Sequence, residues 1–213
     1  MDTLAAVSGS DSSVSIWLKR EDQMESVNAL HGLASTGDIL LFSGRTWAAH
    51  SVRWMTNSPW SHVAVVVNEP LLYAEPLVLE ATRCSSLKDI LCGRCVGDGV
   101  QLVSLKEKIT SYPGRVLLRC WSQPRQRPAV AEVQKVLESY GRRPYVDYVR
   151  KNIRQWLGLS REAGTFCSEL VAEVLDVWGF LVPERPTRLY VPRHFADGEL
   201  LCAEKCRQTM LRR

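Results

Sequence analysis

The sequence predicts an α+β fold in which an antiparallel sheet packs against one amphipathic helix beginning at Cys167. Three stretches predict it. His62-Val63-Ala64-Val65-Val66-Val67 is a β-branched run, the residue type that suits a pleated, buried surface. Leu77-Val78-Leu79-Glu80-Ala81-Thr82 is a second strand with one polar interruption. Between Cys167 and Trp178, residues Leu170, Val171, Val174, Leu175 and Trp178 form a single apolar stripe at helical spacing, and Gly179 stops it. Along the chain the order is strand, helix, a meander of strands, then helices, which is the pattern of α+β domains.

The elements follow in order. Met1 to Ser15 is rich in Ser, Asp and Ala and reads as a mobile leader; the whole of 1–35 is assigned to a flexible N-terminal segment. A short helix is expected within Ile16 to Leu33. Gly37-Asp38-Ile39-Leu40-Leu41-Phe42 places a turn pair before four apolar residues, a buried strand. Trp47, Val52 and Trp54 with Ala48 and Ala49 predict a helix ending before Asn57-Ser58-Pro59. Arg83 to Gly99 holds Cys84, Cys92, Cys95 and three glycines and reads as a loop or insertion. Val100 to Leu105 and Arg115 to Trp121 are short strands. Ala129 to Tyr140 is a helix, and Tyr145 to Leu157 a second. The stretch with three prolines from Pro183 to Pro192 is an extended wrap. The ordered domain spans 36–200, followed by a basic tail over 201–213.

Composition bounds the function. A chain of 213 residues with 46% hydrophobic and 23% charged residues can build one sizeable core. The net charge of +4 is scattered, apart from Lys205, Arg207, Arg212 and Arg213 in the tail. A solvated tail is the simpler reading, so no nucleic-acid partner is expected, while peripheral contact with an anionic membrane stays open. No stretch approaches the roughly 20 apolar residues of a membrane span. The start lacks the form of a secretory signal, and seven cysteines is an odd number without disulfide-scaffold spacing. A reducing compartment, the cytoplasm, is expected.

Three residues suggest chemistry. Cys167 opens the amphipathic helix, where unpaired backbone N–H groups and the positive end of the helix dipole favour a thiolate. The plainer reading is a buried structural cysteine. His62 enters a hydrophobic strand and needs partners for its ring nitrogens; a histidine satisfied at a sheet edge is the alternative. Glu80 interrupts an apolar strand, where an ionised carboxylate is costly unless paired; an exposed edge glutamate is its plain reading. If the strands pair antiparallel with His62 opposite Thr82, Ala64 lies opposite Glu80. His62 and Glu80 then share a face as diagonal neighbours, roughly 7–8 Å apart at Cα. A one-residue slip would destroy the arrangement. Nucleophile, base and orienting acid is the logic of Cys–His–acid catalysis.

Gly37-Asp38-Ile39-Leu40, Ser58-Pro59-Trp60-Ser61-His62-Val63, Val78-Leu79-Glu80-Ala81, Tyr145-Val146-Asp147 and Phe166-Cys167-Ser168-Glu169-Leu170-Val171 occur in this order. In these motifs the chain resembles the permuted branch of the NlpC-type papain-like superfamily, within it the YiiX-like group with relatives in poxviruses. The resemblance covers about Gly37 to Trp178. It implies a circularly permuted papain-like fold with the histidine strand ahead of the cysteine helix. It also implies a cysteine-nucleophile hydrolase (peptidase, amidase, acyl-ester hydrolase or acyltransferase) using Cys167, His62 and Glu80 through a thioacyl intermediate. The family position that often reads Tyr-Asp is Tyr-Val-Asp here, so neither Tyr145 nor Asp147 is given a catalytic role. A catalytically idle module of the same fold, binding a lipid, peptide or partner protein, is the alternative.

The substrate class is a peptide, acyl-amide or lipid, with no cofactor. Trp54, Trp60 and Ser61 are the candidate substrate-binding residues; Trp47, Trp54 and Trp60 flank the histidine strand and serve either core packing or the lining of an apolar substrate site. Cys92-Gly93-Arg94-Cys95 has CxxC spacing, but no second pair completes a zinc site before Cys120, and a thioredoxin-like context is missing. No metal is expected.

Overall fold

The computed structural model describes residues 6–8, 13–18, 32–121, 127–141, 143–146, 164–181 and 184–196. The strands are β1 (Ala6–Ser8), β2 (Ser13–Leu18), β3 (Ile39–Ser43), β4 (His62–Val67), β5 (Leu77–Lys88), β6 (Cys95–Ser104) and β7 (Arg115–Trp121). The helices are α1 (Trp47–Thr56), α2 (Leu105–Ser111), α3 (Val130–Tyr140) and α4 (Cys167–Val177). The seven strands form one sheet in the order β1-β2-β7-β3-β4-β5-β6, with every neighbouring pair antiparallel. The α+β class with an antiparallel sheet is therefore present.

Both faces of the central strands are covered, which is why β4 reads as a continuous apolar run and not as an alternation. On one face Leu41, Val63, Val65, Leu79 and Leu102 pack against Leu170, Val171, Val174 and Leu175 of α4. On the other, Leu40, Phe42, Ala64, Val66, Val78 and Val103 pack against Leu105 and Ile109 of α2. Each fully buried side chain of this size is worth about 1.5–3 kcal/mol. The α4 stripe thus anchors the helix that begins at Cys167.

Local signals place the helix ends. Thr46 caps α1, its hydroxyl accepting from the Ala49 N–H, and Asn57 ends it at φ 44°. Gly179, at φ 69°, follows α4 as expected. Three expectations differ from the structure. Ala6–Ser8 and Ser13–Leu18, within the segment read as a flexible leader, form β1 and β2, and β2 pairs with β7. The stretch 83–99, read as a loop, mostly extends β5 and β6 into a long hairpin; register shifts between Thr82 and Ser85 and between Ser85 and Lys88 break the two-residue period there. The proline-rich segment forms two short 3₁₀ helices, Thr187–Leu189 and Pro192–Phe195, and buries Tyr190 and Phe195 in the α4 core. Most of the helix expected over Tyr145 to Leu157, and the tail 201–213, lie outside the described residues.

Candidate active site

Glu80 sits in the interior of β5 with no exposed surface. Three donors hold it. Lys108 Nζ and Gln101 Nε2 donate to Oε1 at 2.6 and 2.8 Å, and His62 Nε2 lies 2.6 Å from Oε2. Burial alone would raise its pKa. The Lys108 ammonium, and after it the His62 ring, outweigh burial and hold the carboxyl well below the usual carboxylate range.

The strand register brings His62 to this carboxylate. Val65 lies opposite Leu79, Val66 opposite Val78 and Val67 opposite Leu77. Continued by three residues, that register sets Ala64 against Glu80 and His62 against Thr82, the diagonal arrangement expected. Phe42, directly across on β3, packs its ring 5.3 Å from the imidazole, centroid to centroid. Burial works against charge on His62. Hydrogen bonds to Cys167 and Glu80, with the charges of both, outweigh it and push the pKa up to about 9.

Cys167 is the first residue of α4 and is buried. Phe166 stands at the N-cap and makes no side-chain cap bond. Burial raises the thiol pKa. The hydrogen bond to His62 and its charge, with backbone N–H groups of Val63 and Ser168, reverse the sign and lower it. With Nε2 held by Glu80, Nδ1 is the ring nitrogen left for the thiol. Alternation puts His62 and Glu80 on the α2 face of the sheet, whereas α4 covers the opposite face. Thiol and imidazole meet because His62 is the first residue of β4, at the rim where a side chain can reach around the sheet.

A cavity of about 340 Å³ opens over the pair. Ala49, Val52 and Met55 of α1 form an apolar wall, and Tyr112, Tyr145 and Arg83 supply polar edges. Ser61 lines it too, although its hydroxyl already accepts from the Gly44 N–H at 2.9 Å and donates to the Phe42 carbonyl at 3.1 Å. Its observed work is to brace the entry to β4. The two tryptophans do not line the cavity. Trp60 is 5% exposed and belongs to the core under α4, since the Ser58 hydroxyl accepts from its N–H and turns it inward. Trp54 is 85% exposed on the outer side of α1.

Sequence reasoning missed Lys108 and Gln101. A signal existed for each. Lys108 lies three residues after Leu105 and beside Ile109, on the buried stripe of α2, where a lysine needs an anion. Gln101 sits directly opposite Glu80 in the β5–β6 pairing. Lys108 also rests 5.2 Å above the Phe42 ring.

Cys92 and Cys95 flank the hairpin tip as exposed free thiols, with sulfurs facing the carbonyls of Arg94 and Ser86. Among the described residues no group of three His, Cys, Asp or Glu side chains is arranged for a metal ion. His50 bonds Arg53 and His194 contacts Arg185, and neither is at Cys167.

The approach to Cys167 depends on Gly164, at φ 149°, where a Cβ would lie 2.3 Å from Val146 Cγ2 and 2.8 Å from the Pro144 carbonyl. Gly164→Ala is expected to cost about 1–3 kcal/mol, seen as a lower melting temperature. An unchanged melt would show that the turn relaxes freely.

No family model matches the chain, and no curated protein matches it either. Among solved structures, that of the metalloprotein yiiX from Escherichia coli O157:H7, described as DUF1105, is similar at a TM-score of 0.43 and 21% identity, covering 68% of this chain and 67% of that one.

Proposed function

We propose that this chain is a cysteine-nucleophile hydrolase or acyltransferase acting on amide or ester bonds, built on a permuted papain-like arrangement. The observation that carries it is the continuous line Cys167–His62–Glu80 beneath an open cavity, with the thiol at a helix start. The mechanism starts from a Cys167 thiolate beside a protonated His62, the pairing that the lowered thiol pKa and the raised imidazole pKa both favour. The sulfur attacks the substrate carbonyl carbon, and the carbonyl π electrons move to oxygen. In this proposal the backbone N–H groups at the start of α4 would receive that oxyanion. Collapse expels the amine or alcohol, which takes the His62 proton, and leaves a thioester on Cys167. His62, now neutral, removes a proton from water or an acceptor alcohol; attack on the thioester releases the acid or new ester and restores the ion pair.

The papain-like reading rests on chain order, because the histidine strand precedes the cysteine helix and the acid lies on the strand after the histidine. Incubation with a panel of fluorogenic peptides, acyl-amides and lipid esters is expected to reveal turnover that Cys167→Ala abolishes. Turnover equal in wild type and Cys167→Ala would overturn the proposal. Absence of turnover together with an unreactive Cys167 would favour the idle binding module.

A further inference from the structure

The two sides of α1 differ. Ala49, Ser51, Val52 and Thr56 line the cavity. Trp47 and Trp54 do not line it and are 90% and 85% exposed. Seven residues apart, they share one stripe, about 10 Å from end to end. Met55, 45% exposed, joins that stripe to the cavity wall. Paired indoles left in water mark a contact surface, since side chains of this size are normally covered.

Charge identifies the partner. No Asp or Glu occurs between Asp38 and Glu69, whereas Arg45, His50 and Arg53 do. Size identifies it further. A helix of 10 residues is about 15 Å long, and one face of it covers far less than the roughly 800 Å² that each side of a stable protein interface buries. A bilayer needs no such area: indoles settle at the headgroup level, and nearby basic side chains meet anionic lipid. We propose that the outer face of α1 docks this chain peripherally onto an anionic lipid bilayer, with Trp47 and Trp54 inserted at the interface and Arg45 at the headgroups. The inference stands whether or not Cys167 is a nucleophile.

The test is co-sedimentation of the full chain with vesicles of phosphatidylcholine alone or with phosphatidylserine added. Wild type is expected to bind the phosphatidylserine vesicles and to be released by added salt. Trp47→Ser/Trp54→Ser should weaken binding by roughly ten-fold or more, and Arg45→Glu should weaken it independently. Cys167 alkylation should be equal in wild type and the double variant, which separates docking from the thiol site and reports intact folding. Wild type that ignores phosphatidylserine vesicles, or a folded double variant that binds them equally, overturns the proposal. So does a wild-type dimer that the double variant dissolves, because a second copy would then cover the stripe.

Discussion

Iodoacetamide at about pH 6 is expected to alkylate Cys167 ahead of the other six cysteines, and His62→Ala to erase that lead. An ordinary thiol, with a pKa of about 8.5, is less than one per cent thiolate at that pH. The His62 partner and the backbone N–H groups of Val63 and Ser168 hold Cys167 below its ordinary value against the effect of burial. Loss of the imidazolium should slow alkylation at pH 6 by about a hundred-fold, and turnover by about a thousand-fold or more, because the leaving group then lacks its proton donor. The two groups titrate as a pair. On the acid side, both labelling and turnover fall as the thiolate takes a proton. On the alkaline side, turnover falls as His62 loses its proton near pH 9, while labelling holds. Glu80→Gln removes an anion that favours imidazolium, so the alkaline limit should move down. The same raised pKa makes His62 stabilising below its unfolded value of about 6.5, a contribution lost as pH rises through about 9. Identical pH–labelling curves for wild type and His62→Ala would refute the ion pair.

Lys108→Met should be the most damaging substitution outside the triad. It preserves length but leaves the buried Glu80 carboxylate without its ammonium, and removal of one member of a buried pair costs about 3–5 kcal/mol. Its effect on the thiol has a definite sign. With Lys108⁺, Glu80⁻, His62⁺ and Cys167⁻ the cluster is neutral; without Lys108 it carries one net negative charge. The thiolate is then disfavoured, and the acid limit of Cys167 labelling should rise. Glu80 behaves in parallel. Its depressed pKa contributes stability above the ordinary carboxylate value, lost only as pH falls through the depressed one. Without Lys108 that loss should begin at a higher pH. Urea unfolding at neutral and mildly acidic pH checks both points, and Lys108→Met/Glu80→Gln should recover part of the stability by removing the stranded charge. A single variant with the wild-type urea midpoint would show that Lys108 adds nothing to Glu80.

What was legible in the sequence was what neighbouring residues decide. The β-branched run made β4 visible and the apolar stripe made α4 visible, whereas the register that joins His62 to the carboxylate could only be assumed until the strands were paired. What depends on distant partners was hidden. One of the two lysines of a seven-residue helix, Lys108, shows its purpose only when α2 is laid against Glu80. The bulged half of the β5–β6 hairpin lost its period and passed for a loop. The tryptophans were ambiguous for a related reason: chemical type alone does not separate Trp60, turned beneath α4, from Trp54, turned to solvent.

The rim position of His62 has a further consequence for biosynthesis. Ribosomes deliver β3 to β7 before Cys167, so the sheet and the Lys108–Glu80–His62 line can assemble while the thiol is still untranslated. Cys167 follows all seven described strands in the chain and meets His62 only when α4 docks on the sheet. A nascent chain that stops short of Cys167 therefore carries the Lys108–Glu80–His62 line without its thiol.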